Sequence, residues 1–139
     1  MKKIFNKAFI YLILGLSAGV YYREFTKFNN FEGFTQLGVL HTHILVLGLL
    51  MMLIVLLFVK VFEINKDSKF KRSLAIYEGG LHLTILMLIT RGTLQVLGTE
   101  LSKGLNAAIS GISGVGHIIL GVGFVMLMLV IKRSIPEEN

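Results

Sequence analysis

The sequence predicts an all-α membrane protein of four transmembrane helices, with its N- and C-termini on the cytoplasmic side, and three observations carry that prediction. Of its 139 residues 54% are hydrophobic and only 16% charged, where a soluble domain carries roughly 25% charged residues. The apolar residues are gathered into four long runs. The basic residues gather between those runs on alternate sides.

The runs lie at about 5–22, 37–59, 73–97 and 105–131, each near the roughly 20 helical residues that cross a hydrocarbon core of about 30 Å. Helix 1 is the shortest and carries Lys7 near its start, so the lysine is expected to snorkel to the headgroups. Its basic lead-in and the segment Gly15-Leu16-Ser17-Ala18-Gly19 resemble a signal peptide. With Met1 present we read it as a retained span whose Gly15 and Gly19 form a packing face. Helix 2 is the clearest run, since 44–59 holds nothing more polar than Gly48. No repeat or linker divides the chain, which reads as one domain over 1–139.

Ten basic residues, Lys2, Lys3, Lys7, Lys60, Lys66, Lys69, Lys71, Arg72, Lys132 and Arg133, fall at the N-terminus, between helices 2 and 3, and after helix 4. Three, Arg23, Lys27 and Lys103, fall in the other two connections. The positive-inside rule therefore places both termini and the 2–3 connection in the cytoplasm. The same pattern accounts for the net charge of +6, so the basic balance marks topology and no nucleic acid is expected as a partner. The chain has no cysteine. That excludes disulfides, thiolate metal sites, covalent haem attachment and thiol catalysis.

Chemistry must then use His, carboxylate, Arg or Tyr, and polar groups at membrane depth mark where it is done. All four histidines are intramembrane: His41 and His43 in helix 2, His82 in helix 3 and His117 in helix 4. At about 100° per residue His41 and His43 leave opposite flanks of their helix, so they do not chelate one ion. Haem suits ligands on separate flanks better than a bare ion does, because the porphyrin supplies the four in-plane ligands.

Depth counted at 1.5 Å per residue sets His41, His43 and Arg91 about 6–9 Å below the outer boundary, and His117 and His82 about 18–22 Å below it. Arg91 is then level with the propionates of a haem held by the outer pair, or else snorkels outward. On helix 4, Ser110, Gly114, His117 and Gly121 share a face, with Gly111, Gly116 and Gly123 nearby. Such a groove accepts either a porphyrin or another helix. Glu78 and His82 are four apart on helix 3, placing a carboxylate where it can orient the imidazole or pass it a proton.

The stretch His41-Thr42-His43-Ile44-Leu45-Val46-Leu47-Gly48 resembles the His-x-His helix in the catalytic subunit of haem–copper oxidases. The whole chain also resembles a family of small bacterial four-helix membrane proteins. In the oxidases twelve helices form three pseudo-symmetric arcs of four, and the His-x-His helix is second in its arc, running from outside inward, as helix 2 does here. Arg91 is similar in placement to the arginines that hold propionates. The adjacent His-His pair and the His–Tyr constellation of the copper site have no counterpart, so the resemblance does not extend to oxygen reduction.

What the resemblance implies is a b-type haem protein of the bacterial inner membrane, resembling one arc of the oxidase fold, in which three chains rebuild the ring. In that homotrimer His41 of one subunit and His43 of the next are the axial ligands, with His117 and His82 as the second choice. The expected work is electron transfer, as an oxidoreductase or carrier served by a respiratory redox partner or quinol, or binding of a diatomic gas such as oxygen or nitric oxide. The alternative is a small transporter or a copper- or proton-handling protein using His82, His117 and Glu78. A third reading is an assembly partner for a respiratory complex.

Overall fold

The computed structural model describes residues 1–136; the last three residues of the expected 1–139 domain lie outside the described ones. Four long helices run through it: α1 (Lys2–Phe28), α2 (Leu37–Phe62), α3 (Phe70–Val96) and α4 (Lys103–Ser134), with a 3-10 turn at Ile64–Lys66. All four are long and apolar enough to cross a membrane, and no strand is found among the described residues. Each helix outruns its apolar core. At 26 to 32 residues they are about 40–48 Å long against a hydrocarbon core of about 30 Å, because polar ends such as Lys2, Lys3 and Arg23 continue the helical hydrogen bonding into the interface.

α1 packs along α2, α2 along α3, and α3 most closely along α4. The α3–α4 approach depends on glycine: a Cβ at Gly80 would strike the Leu120 backbone, and one at Gly123 would strike the Tyr77 backbone. Small residues let two helices meet main chain to main chain, which is how helices associate where the surrounding solvent is as apolar as their side chains. Gly15 and Gly19 of α1 instead make room for side chains of α2, Leu45 and His41. The core between the helices is built from Leu37, Leu40, Met52, Val55, Tyr77, Leu81, Leu127 and Val130. The outside is as apolar as the inside, with Phe9, Leu16, Val46, Leu57, Ile118 and Val125 all exposed. So large an apolar exterior suits lipid and would drive association in water.

One end of the bundle carries the start of α1, the end of α4 and the α2–α3 connection. There Arg133 Nε donates to Asp67 Oδ2 at 2.9 Å, and Met1 lies by Lys60 and Glu63. At the far end α3 caps the start of α2: Thr35 Oγ1 donates to the Gly92 carbonyl at 2.9 Å, and Gln95 Oε1 accepts from the Gln36 amide at 2.8 Å. The Gln36 bond, with the Leu37 amide donating to Thr35 Oγ1 at 3.3 Å, satisfies amides that a helix start leaves open.

Inside α2 the chain widens into a π-helical segment, Ile44–Leu50, beginning directly after His43. Two tyrosines brace it. Tyr77 of α3 donates its hydroxyl to the Leu47 carbonyl at 2.8 Å, and the ring of Tyr11 of α1 lies where a Cβ on Gly48 would come within 2.6 Å. Such π-helical widenings occur most often next to functional residues.

Candidate functional site

Polar side chains inside the bundle form two clusters, one toward the far end and one toward the terminal end. In the far cluster, His43 Nδ1 lies 2.8 Å from the Val39 carbonyl and His117 Nδ1 lies 2.9 Å from the Ser113 carbonyl. A carbonyl oxygen only accepts, so both rings carry a proton on Nδ1, and the tautomer this fixes has its Nε2 lone pair bare. That is the tautomer a metal-ligating histidine needs, fixed by the partner such ligands generally have. The two rings stand edge to face, centroids 6.5 Å apart and planes at 87°. His43 is half-buried and His117 is exposed at the bundle surface.

A cavity of about 440 Å³ adjoins His117, lined also by Gln36, Arg91, Gln95, Ser110 and Ser113 among others. Arg91 donates to Ser110 Oγ at 2.8 Å and to Asn106 Oδ1 at 3.1 Å. It pairs with no carboxylate among the described residues. A guanidinium held by neutral acceptors keeps its charge for an anion. His41, two residues from His43, lies on the α1 side against Gly19. Its Nδ1 is buried with no hydrogen-bond partner, and its Nε2 lies 3.4 Å from the Thr42 hydroxyl.

The second cluster joins α1 to α3. Lys7 donates to Glu78, and the Tyr11 hydroxyl lies 2.9 Å from His82 Nε2. Further along the same pair of helices, the Tyr21 and Thr93 hydroxyls meet at 3.1 Å. The three pairs are separated by 71, 71 and 72 residues, as two parallel helices in fixed register require.

Counting helix rises sets His117 level with His82, and the α3–α4 packing agrees: Gly116 lies against Thr84 and the Leu120 backbone against Gly80. The His117 ring also stands beside that of His43. One expectation is corrected by the geometry. Glu78 was expected to orient His82, but the register of α1 gives Glu78 to Lys7 and His82 to Tyr11. His41, His43 and Arg91 do lie toward the same end, with His41 and His43 on different flanks of α2.

Tyr11, Gln36, Gln95 and Ser113 escaped the sequence reading. Tyr11 had a signal, a phenol four residues after Lys7 in an apolar helix, but its partner is 71 residues away. Among the described residues no three His, Asp or Glu side chains converge as a bare metal ion would require. Two histidines with free Nε2 atoms, a polar cavity and an uncommitted arginine suit instead a group that brings its own in-plane ligands and its own carboxylates.

The sequence profile of a family described as "Protein of unknown function (DUF2871)" matches residues 1–134. The chain belongs to the DUF2871 family. Comparison with curated proteins and with solved structures finds no match. The chemistry of this DUF2871 chain is therefore argued from its side chains.

Proposed function

We propose that the chain binds a b-type haem within the bilayer and serves electron transfer, or the binding of a diatomic gas, as a protein related in kind to one arc of the haem–copper oxidases. The observation that carries this is the matched tautomer of His43 and His117, each with Nδ1 bonded to the carbonyl four residues back and Nε2 left free. It favours His43 with His117 as the ligand pair ahead of His41 with His43, since no carbonyl meets the buried Nδ1 of His41 and its Nε2 lies by the Thr42 hydroxyl. Arg91 is the propionate partner in this reading. Ser110 and Asn106 hold its guanidinium over the cavity.

Haem, when bound, supplies one-electron chemistry; the chain's own part is to hold the two imidazoles, exclude water and neutralise the propionates. Two histidine ligands leave no open position on the iron, which favours electron transfer over gas binding. The terminal end, rich in Lys and Arg, is cytoplasmic in this reading, and the membrane is the bacterial inner membrane. Gly104, Gly111, Gly114 and Gly121 form an open face on α4 with nothing within 4 Å of where a Cβ would be. Such a face supports assembly with further copies, a homotrimer if each chain forms one arc.

Absorption spectra of the purified protein, oxidised and reduced, test the proposal. A low-spin spectrum with about one haem per chain is the expected result. Protein that purifies colourless from haem-supplied cells overturns it.

A further inference from the structure

The cluster between α1 and α3 has a different chemistry from the first and opens toward lipid. A cleft of about 300 Å³ is lined by Lys7, Ile10, Tyr11, Leu14, Glu78 and His82. Ile10 and Leu14 are exposed on the outer surface of the bundle, so the mouth faces hydrocarbon. Its polar groups come in two rows. Lys7 with Glu78 makes one row and Tyr11 with His82 the other, each four residues further along its helix, so the rows are about 6 Å apart.

The free valences in those rows are specific. Tyr11 is buried and its hydroxyl has His82 Nε2 as its one hydrogen-bond partner among the described residues. Either atom of the pair can donate; with Tyr11 donating, the neutral imidazole carries its proton on Nδ1. Unlike the Nδ1 atoms of His43 and His117, this one has no carbonyl partner. His82 is exposed and lies near the middle of α3. A donor facing hydrocarbon at that depth is costly unless something accepts from it. Lys7, whose ammonium has three donors, gives one to Glu78 and keeps the rest.

We propose that this cleft binds the ring of a membrane quinone, one ring oxygen accepting from Lys7 and the other from His82 Nδ1. Two donors one helical turn apart match the two opposed carbonyl oxygens of a flat para-quinone, and the apolar walls match its ring faces. Entry is from the bilayer, where a quinone resides by its tail. A phospholipid headgroup at the level of Lys7 would leave His82, one turn deeper, unused. The proposal is independent of haem at the other cluster, since it concerns binding alone.

The test uses the full chain in nanodiscs of neutral phospholipid, with menadione as the probe and the hydrocarbon methylnaphthalene as its oxygen-free twin, by calorimetry with empty nanodiscs subtracted. The absence of cysteine keeps menadione from adding to thiols. Menadione is expected to bind saturably at about one per chain and the twin not to. His82→Phe and Lys7→Met should each weaken menadione roughly tenfold or more, the loss of one good hydrogen bond. Tyr21→Phe, on the same helix pair but outside the cleft, should leave binding unchanged. Equal binding of the twin, no saturable binding, or affinity unchanged in both His82→Phe and Lys7→Met overturns the proposal. Colourless protein tests it as well as red protein does.

Discussion

In the far cluster His43 and His117 each bond to the carbonyl four residues back on their own helix, whereas in the cluster nearer the termini His82 is held by the Tyr11 hydroxyl of a different helix. The first arrangement is built by the helix itself and leaves Nε2 bare, a lone pair suited to iron. The second exists only while α1 and α3 keep their register, and with Tyr11 donating it leaves Nδ1–H, a donor suited to a ligand oxygen. The same residue type thus has opposite polarity in the two places, and the hydrogen bond each ring already makes decides which.

The sharpest way to break that contrast is to delete the rings one at a time. His43→Ala and His117→Ala are each expected to abolish the low-spin haem spectrum or the haem itself, while His41→Ala and His82→Ala retain it. Loss in His41→Ala with retention in His117→Ala would restore the intersubunit His41–His43 pair. Absorption spectra of the four variants decide it.

α3 carries members of both clusters, so a wedge in its seam with α4 should damage them together. Gly80→Leu puts a side chain into the Leu120 backbone, and overpacking of this kind costs about 3 kcal/mol or more. We expect a fall in thermal unfolding temperature together with loss of both haem and quinone binding. Loss of one with the other intact would mean that the two clusters are mechanically separate.

A smaller effect separates position from charge in the far cluster. Arg91→Gln keeps a hydrogen-bond donor near Ser110 and Asn106 but removes the charge, so haem affinity should fall about tenfold with the low-spin spectrum unchanged in form. Haem transfer to an apoprotein acceptor measures it. Unchanged affinity would assign Arg91 to the interface.

The smallest effect lies away from both clusters. Asp67 accepts from Arg133 and from the Lys69 amide, and these bonds hold its carboxyl below the ordinary carboxylate range. A folded-state value below the unfolded one gives stability that is present above about pH 4 and is lost as pH falls through the folded value. Asp67→Asn should therefore flatten the acid side of the unfolding curve slightly and leave both ligands bound, as thermal melts between pH 3 and about pH 6 would show.

Much of the fold was legible because the bilayer imposes it. Runs such as 44–59 leave a helix no alternative, and small residues such as Gly15 and Gly19 announce where neighbours come close. The site was legible by residue type and not by partner. His43 was visible as a ligand candidate, but its pairing with His117 depends on the register in which α4 packs on its neighbours, which no local pattern records. Glu78 and His82 were correctly placed on one face, yet their partners Lys7 and Tyr11 are fixed by the register of α1, a contact across 71 residues.

The widened turn below His43 has a consequence for how this chain tolerates change in length. A π-helical segment is an α-helix that has accommodated one additional residue, so removing a single residue between 44 and 50 lets α2 rewind as a regular helix. His43 above and Met52 and Val55 below would keep their faces. The same deletion in the middle of α3 turns everything beyond it by about 100° and swings Arg91 out of its cavity. In the helix that carries the His-x-His motif, reading-frame-preserving loss of a codon within the π-helical segment is thus absorbed locally.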